Sequence, residues 1–249
     1  MRFSACSLPL LLVLALPSCL ELDAVVVLRP DGSGQQTVRL GMNEQGVAIV
    51  RSMARERSAV PGIDNVFDPA PVRREIEAAG LEDVAVRTFE ERQRRYLEIQ
   101  ATFDGVATLR RSPLLGGAAE WRFERGPRPG VARLVLYPRG EAAWREGWDR
   151  ARRLAEGIGA REQSFFARAR RQAEGLEVSW TLELPGEVVA HSRNLVREAP
   201  RRVTAAVRAE QLTTPGALVR LLAPRYEVMF DARECTFALD PPASVADGG

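Results

Sequence analysis

Apolar and polar residues alternate along most of this chain, a period of two that marks half-buried strands, and the pattern yields to a helical period over one long stretch. The runs Asp23 to Leu28 and Gln35 to Leu40 flank Asp31-Gly32-Ser33-Gly34, whose small residues tolerate left-handed backbone, so they predict a β-hairpin. Asn43 then reads as the cap of a helix through Arg57, with Val47, Val50 and Ala54 at helical spacing. Pro61, Gly62, Pro69 and Pro71 mark a loop before a short helix, Val72 to Ala79, stopped by Gly80. Val84 and Val86 alternate with polar neighbours. Leu97, Ile99, Ala101 and Phe103 do the same after the charged turn Glu90-Glu91-Arg92, which predicts a second hairpin. Phe103-Asp104-Gly105 leads into a short helix with Val106 and Leu109 that Pro113 ends. A third hairpin joins Trp121 and Phe123 to Val131–Tyr137 through Gly126-Pro127-Arg128-Pro129-Gly130.

From Gly140 to about Glu174 the period becomes helical. Steps of about 100° gather Trp144, Trp148, Ala151, Ala155, Ile158, Phe165, Ala169 and Ala173 on one face, as a helix covering a sheet requires. Gly157 and Gly159 weaken it midway and predict a bend. Val178, Trp180, Leu182 and Leu184 alternate again up to Pro185-Gly186, and further strands are expected within Glu187–Ala190, Arg202–Glu210 and Tyr226–Phe230. No period repeats along the chain. Residues 19–240 are therefore expected to form a single α+β domain: a curved, mostly antiparallel sheet built from hairpins, with one long amphipathic helix (about 140–174) and shorter helices packed on it. Residues 241–249 read as a disordered tail.

The first residues follow a different logic. One positive charge, Arg2, precedes the apolar run Leu8 to Leu16, which is too short to span a bilayer and suits the core of a secretory signal. Leu16-Pro17-Ser18-Cys19 closes it as a lipobox, with cleavage expected between Ser18 and Cys19. Leu16 would suit an ordinary signal peptidase poorly and a lipoprotein peptidase well. Residues 1–18 are accordingly read as a lipoprotein signal peptide, and Cys19 as the lipidation site, carrying diacylglycerol on sulfur and an amide-linked chain such as palmitate. The expected location is the cell envelope, with the periplasmic leaflet of an outer membrane favoured in a Gram-negative cell by Leu20, rather than Asp, after the cysteine. No second apolar run approaches the roughly 20 residues of a membrane-spanning helix.

Composition narrows the function classes. The chain has 249 residues, is 45% apolar and carries a net charge of +2, with both signs mixed along its length, which disfavours a nucleic-acid binder. Every basic side chain is arginine, which reads as coding bias. Of three cysteines, Cys6 leaves with the signal and Cys19 carries lipid. Cys235 is left without a disulfide partner, so stability must come from packing.

In the order of its pieces the chain resembles the LppM-like lipoprotein domain family. The lipidated Cys19, the Asp31-Gly32-Ser33-Gly34 hairpin followed by Thr37-Val38-Arg39-Leu40, and the Phe103-Asp104-Gly105-Val106 join carry the resemblance, together with Leu184-Pro185-Gly186-Glu187-Val188-Val189 and Tyr226-Glu227-Val228-Met229-Phe230. It implies an extracytoplasmic α+β domain with helices across a sheet face and brings no catalytic residue with it. This chain departs from the pattern in lacking a C-terminal transmembrane segment and in the length of its 140–174 stretch.

Catalytic constellations are sparse. His191 is the only histidine, and adjacent Ser192 cannot face it as a triad partner would. No nucleotide-binding glycine loop, zinc-protease motif or paired-cysteine spacing occurs, and Asp-Gly-Ser-Gly lacks the alternating oxygen ligands and closing glutamate of a calcium loop. The carboxylates of Glu82-Asp83 and Glu90-Glu91 lie beside arginines in turns, as solvated surface does. Glu162 alone projects among the apolar residues of the long helix, and the bend near Gly159 would turn it outward. The expected protein is no enzyme, without cofactor or metal: a membrane-tethered binding or scaffold module. The alternative is an apolar-ligand (lipid) binding domain, with a hydrolase further behind. Its expected partners are the membrane itself and a lipid or an envelope protein. Arg150, Arg153, Arg161, Arg168 and Arg171 form a stripe opposite the aromatic face. They are read either as a solvated ridge paired through Glu146–Arg150 and Asp149–Arg153 or as a contact surface for anionic headgroups.

Overall fold

The computed structural model describes residues 20–48, 67–115, 118–157 and 175–241, apart from residue 215 and residues 218–223, with a few isolated positions between 159 and 170. The first hairpin is β1 (Leu20–Leu28) and β2 (Gly34–Asn43), paired from Leu20↔Met42 to Leu28↔Gly34. Its turn closes as its residues require. The Asp31 carboxylate accepts from the Ser33 amide at 2.9 Å and the Ser33 hydroxyl at 2.7 Å, and Gly32 sits at φ +85°, in the left-handed region. Asn43 caps the helical residues 44–48 by accepting from the Gly46 amide at 2.9 Å; the remainder of the helix expected through Arg57 lies outside the described residues.

Helix α1 (Pro69–Ala78) starts a few residues before the expected Val72, because Asp68 accepts from the Ala70 amide at 3.1 Å and Pro69 and Pro71 stand in the first turn, where a missing N–H costs nothing. The second hairpin, β3 (Glu82–Glu91) and β4 (Arg94–Phe103), leads through α2 (Val106–Arg111) to the third, β5 (Glu120–Arg125) and β6 (Val131–Tyr137). Helix α3 (Glu141–Glu156) follows. The chain then returns as β7 (Glu177–Glu183), β8 (Val188–His191), β9 (Val196–Ala199), β10 (Arg202–Arg208) and β11 (Tyr226–Asp231).

The strands form two sheets where one was expected. A seven-stranded sheet runs β3-β4-β2-β1-β7-β10-β9, and a four-stranded sheet runs β5-β6-β11-β8. All neighbours are antiparallel except β1 and β7, which run parallel with Glu21 beside Glu177 and need the long crossover between them. Alternation along a strand says that one face is buried and nothing about which element buries it. Here the buried residues Leu22, Ala24 and Val26 of β1 and Val38 and Leu40 of β2 belong to the same core as Phe123, Leu134 and Phe230 of the smaller sheet. The sheets meet at Trp180 of β7, which tilts on Trp121 of β5 with centroids 6.1 Å apart and stacks on Tyr226 of β11 at 5.2 Å.

Helix α3 is shorter than the stretch of helical period from which it was expected. It ends at Glu156, and Gly157 is extended (φ 170°, ψ 146°), so the single helix over 140–174 is interrupted where the glycines weakened it. The short β9, Val-Arg-Glu-Ala, was not expected, because this exposed edge strand shows no apolar alternation. The run Leu184-Pro185-Gly186 turns the chain between the sheets. A Cβ on Gly186 would lie 1.8 Å from the Asp231 carbonyl oxygen, so only glycine permits that backbone approach. Among the described residues no helix is long and apolar enough to cross a membrane.

Candidate functional site: an arginine-bearing cavity beside helix α3

Helix α3 is pinned at its first turn. Glu120 of β5 accepts from the Glu141 amide at 3.2 Å, supplying the cap that Gly140 has no side chain to give, and Arg122 bridges Glu120 at 3.1 Å and Glu141 at 2.5 Å. Hydrogen bonds from Arg145 and then Arg122 hold the Glu141 carboxyl below the usual range. From this anchor Trp144 reaches Tyr137 of β6, with ring centroids 5.5 Å apart, and Trp148 one turn later lies 6.4 Å from Trp144. Ala151 completes the inward face and is buried. Trp148 does not cover the sheet as its face predicts; it is 51% exposed.

Trp148 instead borders an open cavity of about 1100 Å³ between α3 and the strands. One wall is Trp144 and Trp148 of α3. The strands contribute Val196 of β9, Ala206 and Val207 of β10, and Tyr226 of β11 to the lining. Ser192, Asn194 and Gln211 supply neutral polar groups. They are held in place: Ser192 donates to Asn194 Oδ1 at 2.7 Å, Asn194 Nδ2 donates to the Arg225 carbonyl at 2.9 Å, and the Arg208 amide donates to Gln211 Oε1 at 3.1 Å.

Three cations complete the lining, Arg193, Arg208 and Arg225, and among the described lining residues there is no carboxylate, histidine or cysteine. Arg225 is fixed by an ion pair to Glu227, by donation to the Tyr137 hydroxyl at 3.3 Å, and by the Trp144 ring 5.6 Å away. Burial pushes the Glu227 carboxyl up, but Arg133 and Arg225 outweigh it and leave it below the usual range. Arg208 lies 3.5 Å from Glu177 and is 60% exposed; Arg193 makes no ion pair among the described residues. The buried Tyr226 phenol is pushed up to about 12 by loss of solvent, so it stays neutral at any physiological pH. The arrangement can hold an apolar body against indoles and aliphatic side chains while presenting guanidinium groups to an anionic end.

Residues singled out from the sequence fall mostly elsewhere. Ser18, Cys19, Glu162, Arg161, Arg168 and Arg171 lie outside the described residues. Arg150 and Arg153 are exposed on α3, and neither expected pair is found among the described residues: Asp149 takes Arg152 in place of Arg153, and Glu146 and Arg150 form no ion pair with each other. His191 ends β8, exposed, with Nδ1 3.1 Å from the Ser192 carbonyl oxygen. Cys235 is half-buried, and its thiol is pushed up by burial. The sequence carries no signal for the cavity arginines, because Arg193 lies between β8 and β9, Arg208 ends β10 and Arg225 precedes β11, and no spacing links them. Only the two tryptophans carried a local signal.

Fold and site together define a two-sheet α+β domain with an arginine-bearing apolar cavity under one helix. Among solved structures the chain is similar to the NMR structure of the folded domain of Mycobacterium tuberculosis LppM, at 11% identity over 87% of this chain and 91% of that one, with a TM-score of 0.47. A superposition that loose carries no function across. No protein-family model and no curated protein matches the chain.

Proposed function

We propose that this chain is a bacterial envelope lipoprotein, tethered through acyl chains on Cys19, that acts by binding and not by catalysis, and that the cavity beside α3 takes an anionic amphiphile. The lipobox supports the tether. The observation that carries the binding reading is the cavity itself: tryptophan and aliphatic walls with three arginines, of which Arg225 is paired to Glu227, Arg208 lies 3.5 Å from Glu177 and Arg193 makes no ion pair among the described residues. A purely scaffolding domain has no need to keep an indole such as Trp148 half in solvent beside an open space of this size.

The test titrates the domain from Leu20 onward with dodecyl phosphate and, separately, with dodecyl maltoside, following tryptophan emission. Dodecyl phosphate should bind at least tenfold more tightly, since a charge-assisted contact contributes about 1.5–3 kcal/mol. Arg193→Gln should weaken it several-fold while leaving the neutral detergent unaffected. Equal affinity for both amphiphiles, or no change in emission with either, would refute the reading.

A further inference from the structure

The cavity and the tether are at the same end of the larger sheet. Leu20, the residue after Cys19, is already in β1, paired with Met42 and 1% exposed, so the folded domain begins with no spacer. One residue spans at most about 3.6 Å, which fixes this end of the sheet at headgroup depth once Cys19 is acylated. The pairings then lead straight to the cavity: Glu21 of β1 lies beside Glu177 of β7, and Glu177 lies opposite Arg208 of β10. Two strand spacings, about 10 Å, separate the cavity's Arg208 from the first residues after the anchor. The β1–β2 turn is at the far end of strand β1, nearly 30 Å away at about 3.3 Å per residue. Trp148, on the same cavity and half in solvent, is the side-chain type that favours the membrane–water boundary.

We propose that the cavity is loaded in cis, from the leaflet that holds the Cys19 anchor, and that its occupant is a phospholipid with an anionic headgroup met by Arg208 and Arg193. The inference rests on acylation of Cys19 and on the cavity binding amphiphiles. The absent spacer makes encounter intramolecular for lipids of the anchoring membrane and denies the cavity to lipids of a second membrane.

The experiment uses the mature acylated chain, its lipidation confirmed by mass, in vesicles of phosphatidylcholine with one fifth phosphatidylglycerol. Phosphatidylglycerol brominated on one acyl chain is placed either in the same vesicles or in a second population added later. Same-vesicle lipid should quench tryptophan emission at least fivefold more than added-vesicle lipid, and the quenching should persist in Trp148→Phe, where half-buried Trp144 reports from the cavity. A twenty-residue Gly-Ser spacer between Cys19 and Leu20 should reduce the same-vesicle quenching several-fold. Quenching indifferent to the spacer, equal from both vesicle populations, or lost entirely in Trp148→Phe overturns the proposal, the last meaning surface contact alone. Dodecyl phosphate separates the causes. If the spacer variant and its parent both bind it while the vesicle result fails, loading in cis is wrong and the cavity reading stands. If neither binds it, or if Cys19 proves unacylated, the underlying reading falls and takes the proposal with it.

Discussion

Tyr226 joins the core to the candidate site: its ring stacks on Trp180 between the sheets and the residue also lines the cavity. Burial holds its phenol at about 12 against an ordinary 10.0, so the folded protein keeps that proton through a range where the unfolded chain releases it. Folding stability from this group is complete below pH 10 and is lost as pH rises through 10 to about 12. A shift of this size corresponds to roughly 3 kcal/mol at the upper end. Urea midpoints measured from pH 8 to 12 should therefore fall more steeply for the natural chain than for Tyr226→Phe, and parallel curves would show that the phenol is better solvated than its burial implies.

At the scale of elements, α3 depends on groups outside itself. Gly140 offers no capping side chain, so the Glu120 carboxylate from the neighbouring sheet edge satisfies the Glu141 amide and complements the positive end of the helix. Glu120→Ala should cost about 1 kcal/mol. Hydrogen exchange should show the loss in the first turn of α3, with protection of β1 and β2 unchanged; a loss spread evenly over both sheets would contradict this local role. The aromatic face of this helix was legible from the positions of Trp144 and Trp148. Its stop at Glu156 was foreshadowed by Gly157. That Trp148 would border a cavity was not legible, because helical period gives the direction of a side chain and not the distance to the opposing surface.

At the scale of the whole molecule, each sheet draws strands from both sides of α3: β1 to β4 join β7, β9 and β10, while β5 and β6 join β8 and β11. Neither half of the chain can complete either sheet, and Trp180 ties the two sheets through Trp121 and Tyr226. Urea unfolding followed by far-ultraviolet circular dichroism and by tryptophan emission should give coincident single transitions. Two separated midpoints would mean that the sheets are independently stable.

The sequence by itself determined the local units. Side-chain period and turn chemistry act over a few residues, so the three hairpins, the Asp31-Gly32-Ser33-Gly34 turn, the caps at Asn43 and Gly80 and the direction of the α3 face were all readable before any tertiary contact was known. Tertiary structure alone decided the partition into two sheets, the parallel pairing of β1 with β7, the exposed edge strand β9 and the meeting of Arg193, Arg208 and Arg225 around one cavity. Those features depend on which buried faces pack together across long separations, and that choice is made by the burial and shape of all the elements at once and has no signature in any short run of residues.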